Sequence, residues 1–519
     1  MKKALTLLGI IITLTASATI FFAIAVSFAE TPRHFSKSRT GMVASGSTYA
    51  TAAGVTLLEQ GGNAIDAAAA TAFAIMVTDP ANASIGGRVQ ALIRMKDGAV
   101  TGIDGATQVP RDFRPPRDKA EKREGWAIVP VPGGPAALEE MVRRYGRKSL
   151  SDVLQPAIKL AEEGFVVPPR LGRTWAAHQD ELSKDPGAKQ HFLKPDGTAY
   201  KAGETFRRPR LAAVLREIAA KGTGVLYRGA IAETIARDAA ANGSSLRSAD
   251  LAEYRVQPGR LARTQYHGHE VVTGGARSWG SPLHEMLKTL NGATIGPGEP
   301  TAGEVETIAR AIAKALANRP RERAVRPAQT AGQPHDTTHM SVMDAAGNAV
   351  ALTTSIGPSF GSQVASPSLG FLYAHSYRME SDGAPGERDM SELSPSIVLR
   401  EGKPILVIGG AGRERIPSAV LQVMINVIDR QMTLERAVLS PRVFLTKDTL
   451  RIHDAFLPEV MQPLSERFSI EKVELGAAVH LGLVHAVRYD PETREFFGAA
   501  DLGDSGSAMA PAGSEQRKR

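Results

Sequence analysis

Asp336-Thr337-Thr338-His339-Met340-Ser341-Val342-Met343-Asp344-Ala345-Ala346-Gly347-Asn348-Ala349-Val350-Ala351-Leu352-Thr353-Thr354-Ser355 is the stretch on which the reading of the chain turns. Residues 338–343 and 349–355 are strand-like, and the Asp, Gly and Asn between them suit a tight turn, so the stretch predicts a β-hairpin. Upstream, residues 319–336 are rich in Arg, Pro, Gln and Gly and poor in apolar side chains, which predicts an exposed loop. A cleavable loop thus runs straight into the first residue of a strand. A threonine hydroxyl is a weak nucleophile unless a base stands beside it, and cutting the peptide bond before Thr337 would free its own α-amine as that base. Taken alone, a Thr-Thr pair after a loop better fits a strand that merely begins there.

Working outward, Met42-Val43-Ala44 predicts a short strand after a polar lead-in, and residues 50–60 a helix stopped by Gly61-Gly62. Asn63 caps a second, alanine-rich helix reaching about Val77, and its near absence of charge suits a helix packed against a sheet inside the fold. Gly133-Gly134-Pro135 leads into a helix through Tyr145, and residues 150–163 form another, closed by Gly164. Helices at 211–220 and 230–241 and strands at 269–273 and 405–408 complete a mixed α/β pattern without an internal repeat.

With 519 residues, 43% of them hydrophobic, the chain can bury a sizeable core. Its 62 basic against 54 acidic side chains give a formal charge of +8, a mild excess over this length. Aromatic residues are 5% and form no stripe with basic ones, so no nucleic-acid partner is expected. The absence of cysteine excludes disulfides, thiolate nucleophiles and thiolate metal ligands, leaving Ser, Thr or Lys for any nucleophile. Lys2 and Lys3 precede an uncharged run over residues 4–29, and Ser27-Phe28-Ala29 places small residues at −3 and −1 of a signal-peptidase site. Residues 1–29 therefore read as a signal peptide or, since the run is long enough to span a bilayer, as an uncleaved N-terminal membrane anchor. Either way the body is expected outside the cytoplasm, periplasmic or extracellular.

The segment from Asp336 to Val342, with Asp344, Gly347-Asn348-Ala349-Val350 and Thr353-Thr354-Ser355, resembles the start of the small subunit in γ-glutamyltransferases. Further matches occur in the family's order. They are Gly41-Met42-Val43-Ala44, Gly61-Gly62-Asn63-Ala64-Ile65-Asp66-Ala67-Ala68, Ile85-Gly86-Gly87, Leu154-Gln155-Pro156-Ala157-Ile158, Tyr227-Arg228-Gly229, Leu393-Ser394-Pro395-Ser396-Ile397-Val398 and the loop at 409–415. The resemblance covers nearly all of the chain after the leader. It implies an α/β chain with the four-layer αββα fold of N-terminal-nucleophile hydrolases, a large-subunit region at 30–336, a small-subunit region at 337–519, and no metal or organic cofactor. It also implies a small-molecule amide substrate, glutathione and other γ-glutamyl amides in the family, and an acyl-enzyme on Thr337. Ser355 matches the second hydroxyl that steadies the nucleophile, and the backbone N–H groups of Gly412 and Arg413 match the oxyanion hole. Arg413 stands where the family has glycine, which restricts φ at that position.

Departures concentrate in the amino-acid reader. The family's carboxylate-binding arginine falls on Ala106, the carboxylate that grips the α-amine on Met379, its polar neighbour on Ser376, and an asparagine after the hairpin on Gly357. Of the paired serines Ser391 remains, and Glu392 replaces the second. Arg88 and Arg413 offer a relocated carboxylate grip and Glu392 an amine grip, while each of the three reads equally well as a solvated charge. Losing several charge-assisted contacts of roughly 1.5–3 kcal/mol each should weaken a free α-amino acid headgroup by orders of magnitude. Three readings stay open: a γ-glutamyl hydrolase or transferase with displaced readers, an amidase acting on another acyl group, and a catalytically silent, anchored binding protein. Two rival motifs carry less. Residues 405–412 and the helix after them lack the third glycine and the acidic residue of a dinucleotide site. His339, on the opposite strand face from Thr338, is expected to serve the core rather than a serine-type triad.

Overall fold

The computed structural model describes residues 33–116, 123–275, 280–318, 337–381, 383–389, 393–475, 481–503 and 505–512. The hairpin forms as its sequence predicts. Thr338–Asp344 pairs antiparallel with Ala349–Ser355 in the register Thr338–Thr354, His339–Thr353, Met340–Leu352. Asp344 closes the turn by accepting from the N–H groups of Ala346 and Asn348 and from Asn348 Nδ2. Its other contact, to the Ala64 N–H at 2.9 Å, ties the turn to the start of the alanine-rich helix.

Strand alternation then sorts the hairpin's side chains into two layers. Met340, Val342, Val350 and Leu352 pack with the helices Ala64–Thr78, Gly134–Tyr145 and Leu150–Glu163. Every residue of Ala64–Thr78 is buried, which suits its alanine-rich sequence, and its one charged residue, Asp66, forms a capping box with Asn63 at its start. On the other face Met343, Ala349 and Ala351 meet Val272, Ile397, Val407 and Val487 of a second sheet. The first sheet runs Ser507–Met509, Gly41–Ser45, Thr338–Asp344, Ala349–Ser355, Arg88–Arg94, Val100–Gly105, Gln257–Pro258. The second runs Phe35–Ser38, Glu495–Ala500, Leu483–Asp490, Lys403–Ala411, Ser396–Arg400, His269–Gly274, Leu261–Tyr266. Its outer face packs on Gly280–Leu290, Ala302–Ala317 and Ile416–Ile428. The order is helix, sheet, sheet, helix: the αββα fold.

At Gly409 the sheets approach closely, since a Cβ there would lie 2.3 Å from His339 Cε1. Two features depart from the sequence reading. The polar lead-in contains an edge strand, Phe35–Ser38, paired with Glu495–Ala500, and a small sheet of Val443–Thr446, Thr449–His453 and Ser469–Val473 was not expected. The leader at 1–29 and the loop at 319–336 lie outside the described residues, and no described helix is long and apolar enough to cross a membrane.

Candidate active site

Thr337 immediately precedes its strand, and Ser355 ends the partner strand, one step beyond the Thr338–Thr354 pair. Register therefore brings the two side chains together on the face turned toward the second sheet. Thr337 Oγ1 donates to Ser355 Oγ at 3.3 Å, and the Gly357 N–H donates to the same oxygen at 3.1 Å. Both residues are buried.

Arg88 opens the next strand, directly opposite Ser355. Antiparallel partners share a face, so its side chain lies on the side of Thr337. It is 3% exposed, which overturns the reading of Arg88 as a solvated charge. Its Nη2 lies 3.5 Å from where a Cβ on Gly357 would stand, and its Cζ lies 5.7 Å from the centre of the Tyr377 ring. Arg413 Nη2 reaches Tyr377 Oη at 3.5 Å. Contacts thus run from Thr337 through Ser355, Arg88 and Tyr377 to Arg413, joining four residues singled out in the sequence. Ser391 and Glu392 lie outside the described residues. Tyr377 was missed; the available signal was an aromatic residue within the altered Ser376-Tyr377-Arg378-Met379 run.

Gly412 and Arg413 follow the strand Lys403–Ala411 and precede the helix Ile416–Ile428. Arg413 has φ 56°, in the left-handed region, a conformation that costs a non-glycine residue roughly 1–2 kcal/mol. The Gly412 carbonyl accepts from Arg415 N–H at 3.2 Å and Arg415 Nε at 3.1 Å. Because a trans peptide points its N–H opposite to its C=O, the Arg413 N–H is directed away from Arg415.

His339 is fully buried, with Nδ1 2.8 Å from Thr353 Oγ1 and Nε2 3.0 Å from Ser341 Oγ. Burial, reinforced by His485 nearby, pushes its pKa well below the ordinary value. Both ring nitrogens are engaged by structural hydroxyls, so His339 ties strands together rather than serving Thr337.

The altered reader positions have become structure. Met379 is fully buried in a cluster with Val109, Phe113 and Ile128. Ser376 caps the short helix Tyr377–Glu380 and donates to Asp389 Oδ1 at 2.8 Å. Asp389 also accepts from Thr107 Oγ1 at 2.8 Å and the Arg378 N–H at 3.1 Å, clamping the segment that carries Tyr377. Gly357 adopts φ 91°, and a Cβ there would lie 3.1 Å from His375 Cβ. Ala106 is buried, its carbonyl accepting from Tyr254 Oη at 2.8 Å.

Comparison with known proteins agrees with this geometry. The Acylase ACY 1 proenzyme of Pseudomonas sp. (strain SE83) is 32% identical over 508 residues, covering 87% of this chain and 90% of that one. The Glutathione hydrolase proenzyme of Escherichia coli (strain K12) is 29% identical over 534 residues, covering 90% and 91%. The crystal structure of cephalosporin acylase from Bacillus halodurans superposes with a TM-score of 0.84 at 27% identity, covering 94% of this chain and 99% of that one. The model of the gamma-glutamyltranspeptidase family matches residues 50–324 and 304–511, and the chain belongs to that family.

Proposed function

We propose that this chain is an exported precursor that cuts itself before Thr337 and then acts as an amide hydrolase or acyltransferase on acyl groups lacking a free α-amino acid headgroup. The observation that carries the proposal is the Thr337–Ser355 hydroxyl pair at the head of a central strand. In self-cleavage Thr337 Oγ1 attacks the Asp336 carbonyl, an ester forms as the peptide C–N bond breaks and releases the Thr337 α-amine, and water hydrolyses the ester to free the Asp336 carboxylate and the Thr337 hydroxyl. That amine then takes the proton from Oγ1 as the oxygen attacks a substrate amide. The proton passes to the leaving amine, and water or an acceptor amine releases the acyl group. The N–H groups of Gly412 and Arg413 are assigned to the developing oxyanion, on the resemblance that singled them out. The leader of Lys2, Lys3 and the apolar run supports export.

The acylase reading is favoured over γ-glutamyl specificity by the fate of the reader positions, because Met379 packs in an apolar cluster and Ser376 is spent on Asp389. A pocket cannot discriminate through contacts it lacks. The test is a denaturing gel with N-terminal sequencing. Wild type is expected as two chains, the smaller beginning Thr-Thr-His, and Thr337→Ala as one uncut chain. Cleavage of that variant at the same bond would remove Thr337 from the mechanism.

A further inference from the structure

We propose that Arg88 reads the far end of the acyl group, and that this end is a carboxylate with no ammonium beside it. The proposal rests on the amide-hydrolase reading above and names its substrate class: half-amides of short dicarboxylic acids.

Arg88 is 3% exposed, and its Nη1 has no hydrogen-bond partner among the described residues. A buried cation with an unused N–H is costly unless something meets it. Its pairing opposite Ser355 fixes where that must happen, on the face of the Thr337 hydroxyl. Gly357 leaves the guanidinium room, since any side chain there would begin 3.5 Å from Nη2. The Tyr377 ring walls it at 5.7 Å, and Arg413 reaches that tyrosine's hydroxyl. Two guanidiniums at one ring favour an anion, and a planar fork of N–H donors matches a carboxylate. Thr337 and Arg88 stand two strand spacings apart, roughly 10 Å between Cα atoms, so a short diacid can place one carbonyl at Oγ1 and its carboxylate at the guanidinium.

The same wall disfavours an ammonium. Asp389 already accepts from Thr107, Ser376 and Arg378, Glu387 pairs with Arg378, and Glu380 lies 3.2 Å from His375 Nε2. The acidic side chains of the described segment carrying Tyr377 are therefore engaged.

Calorimetric titration of the purified full chain with glutarate, L-glutamate and pentanoate tests this. Glutarate keeps the carboxylate at each end, L-glutamate adds the ammonium, and pentanoate lacks the distal carboxylate. Wild type is expected to bind glutarate at least roughly tenfold more tightly than either other probe, and Arg88→Gln to lose roughly 10–100-fold for glutarate, as for one charge-assisted contact. Arg88→Lys should recover part of that loss. L-glutamate or pentanoate binding as tightly as glutarate, or glutarate binding unchanged in Arg88→Gln, overturns the proposal. The wild-type ranking and Arg88→Lys still decide if Arg88→Gln does not fold. Turnover of glutaryl- against pentanoyl-p-nitroanilide separates the two readings. A wild-type preference for the glutaryl amide that collapses in Arg88→Gln supports both. Selective glutarate binding without release of p-nitroaniline overturns the hydrolase reading and upholds Arg88 as the carboxylate reader.

Discussion

Ser355 holds its hydroxyl in place through the Gly357 N–H at 3.1 Å, which presents a lone pair to Thr337 Oγ1. Ser355→Ala removes that acceptor while leaving the strand intact. One hydrogen bond of about 1 kcal/mol corresponds to a severalfold to tenfold slower self-cleavage, measured as uncut chain against time on a gel. Ser355→Thr keeps the hydroxyl and should process within a few-fold of wild type; equal rates in all three would remove the pair from the mechanism. Thr337 and Ser355 were singled out through the family resemblance, while the hairpin that sets them side by side was legible from its turn and its alternation. Arg88 was only half legible. A charge following Gly86-Gly87 looks solvated until the pairing of Arg88–Arg94 with Ala349–Ser355 sets it beside the hydroxyls. The left-handed φ of Arg413 follows from the turn between strand and helix, and a sequence indicates only that such a value would be strained.

Helices with strong stop signals were legible as elements: Gly164 takes φ 85° at the end of Leu150–Glu163, and Asn63 caps Ala64–Thr78. The edge strand Phe35–Ser38 was hidden because its partner lies at the other end of the chain and its own residues are half-exposed and polar. Long-range pairing, not local propensity, makes it a strand. The helix Tyr377–Glu380 shows the same limit, for at four residues it exists through its Ser376 cap and the burial of Met379 rather than through periodicity. This packing decides how far the family's readers can be rebuilt. Met379→Asp, alone or with Ala106→Arg, puts a carboxylate among Val109, Phe113 and Ile128, and an unpaired buried charge costs roughly 3–5 kcal/mol. The urea midpoint of Met379→Asp should fall clearly below wild type, whereas Met379→Leu, a volume-conserving change, should cost under about 1.5 kcal/mol. A variant with Asp at this position and an unchanged midpoint would show that the cluster opens readily and that position 379 can still face a ligand.

Across the whole molecule, the bond before Thr337 divides the sequence but not the sheets. In the first sheet the hairpin of 338–355 is flanked by Gly41–Ser45 on one side and Arg88–Arg94 on the other, both from the region before the bond. In the second, Phe35–Ser38 and His269–Gly274 from that same region pair with Glu495–Ala500 and Ser396–Arg400 from the region after it. Separating the two regions would break these four ladders and that of Ser507–Met509 with Gly41–Ser45, and expose the layer of Met42, Leu92, Met343, Val407 and Val487 between the sheets. Ion pairs such as Lys37–Glu495 and Glu306–Arg467 also join the two regions, but salt screens exposed pairs, whereas the apolar layer and the backbone ladders do not depend on charge. After cleavage the two chains should therefore co-elute on size exclusion in about 1 M salt, where charge interactions are screened within about 3 Å, and part only in denaturant. Each region expressed alone should be insoluble or unfolded, because it would carry a half-built sheet with open edges and an uncovered apolar face. Co-expression of residues 30–336 with 337–519 should restore a soluble complex. Dissociation of the processed chains by salt alone, or a folded monomer of either region by itself, would contradict the interleaved sheets and with them the siting of Thr337 between strands from the other chain.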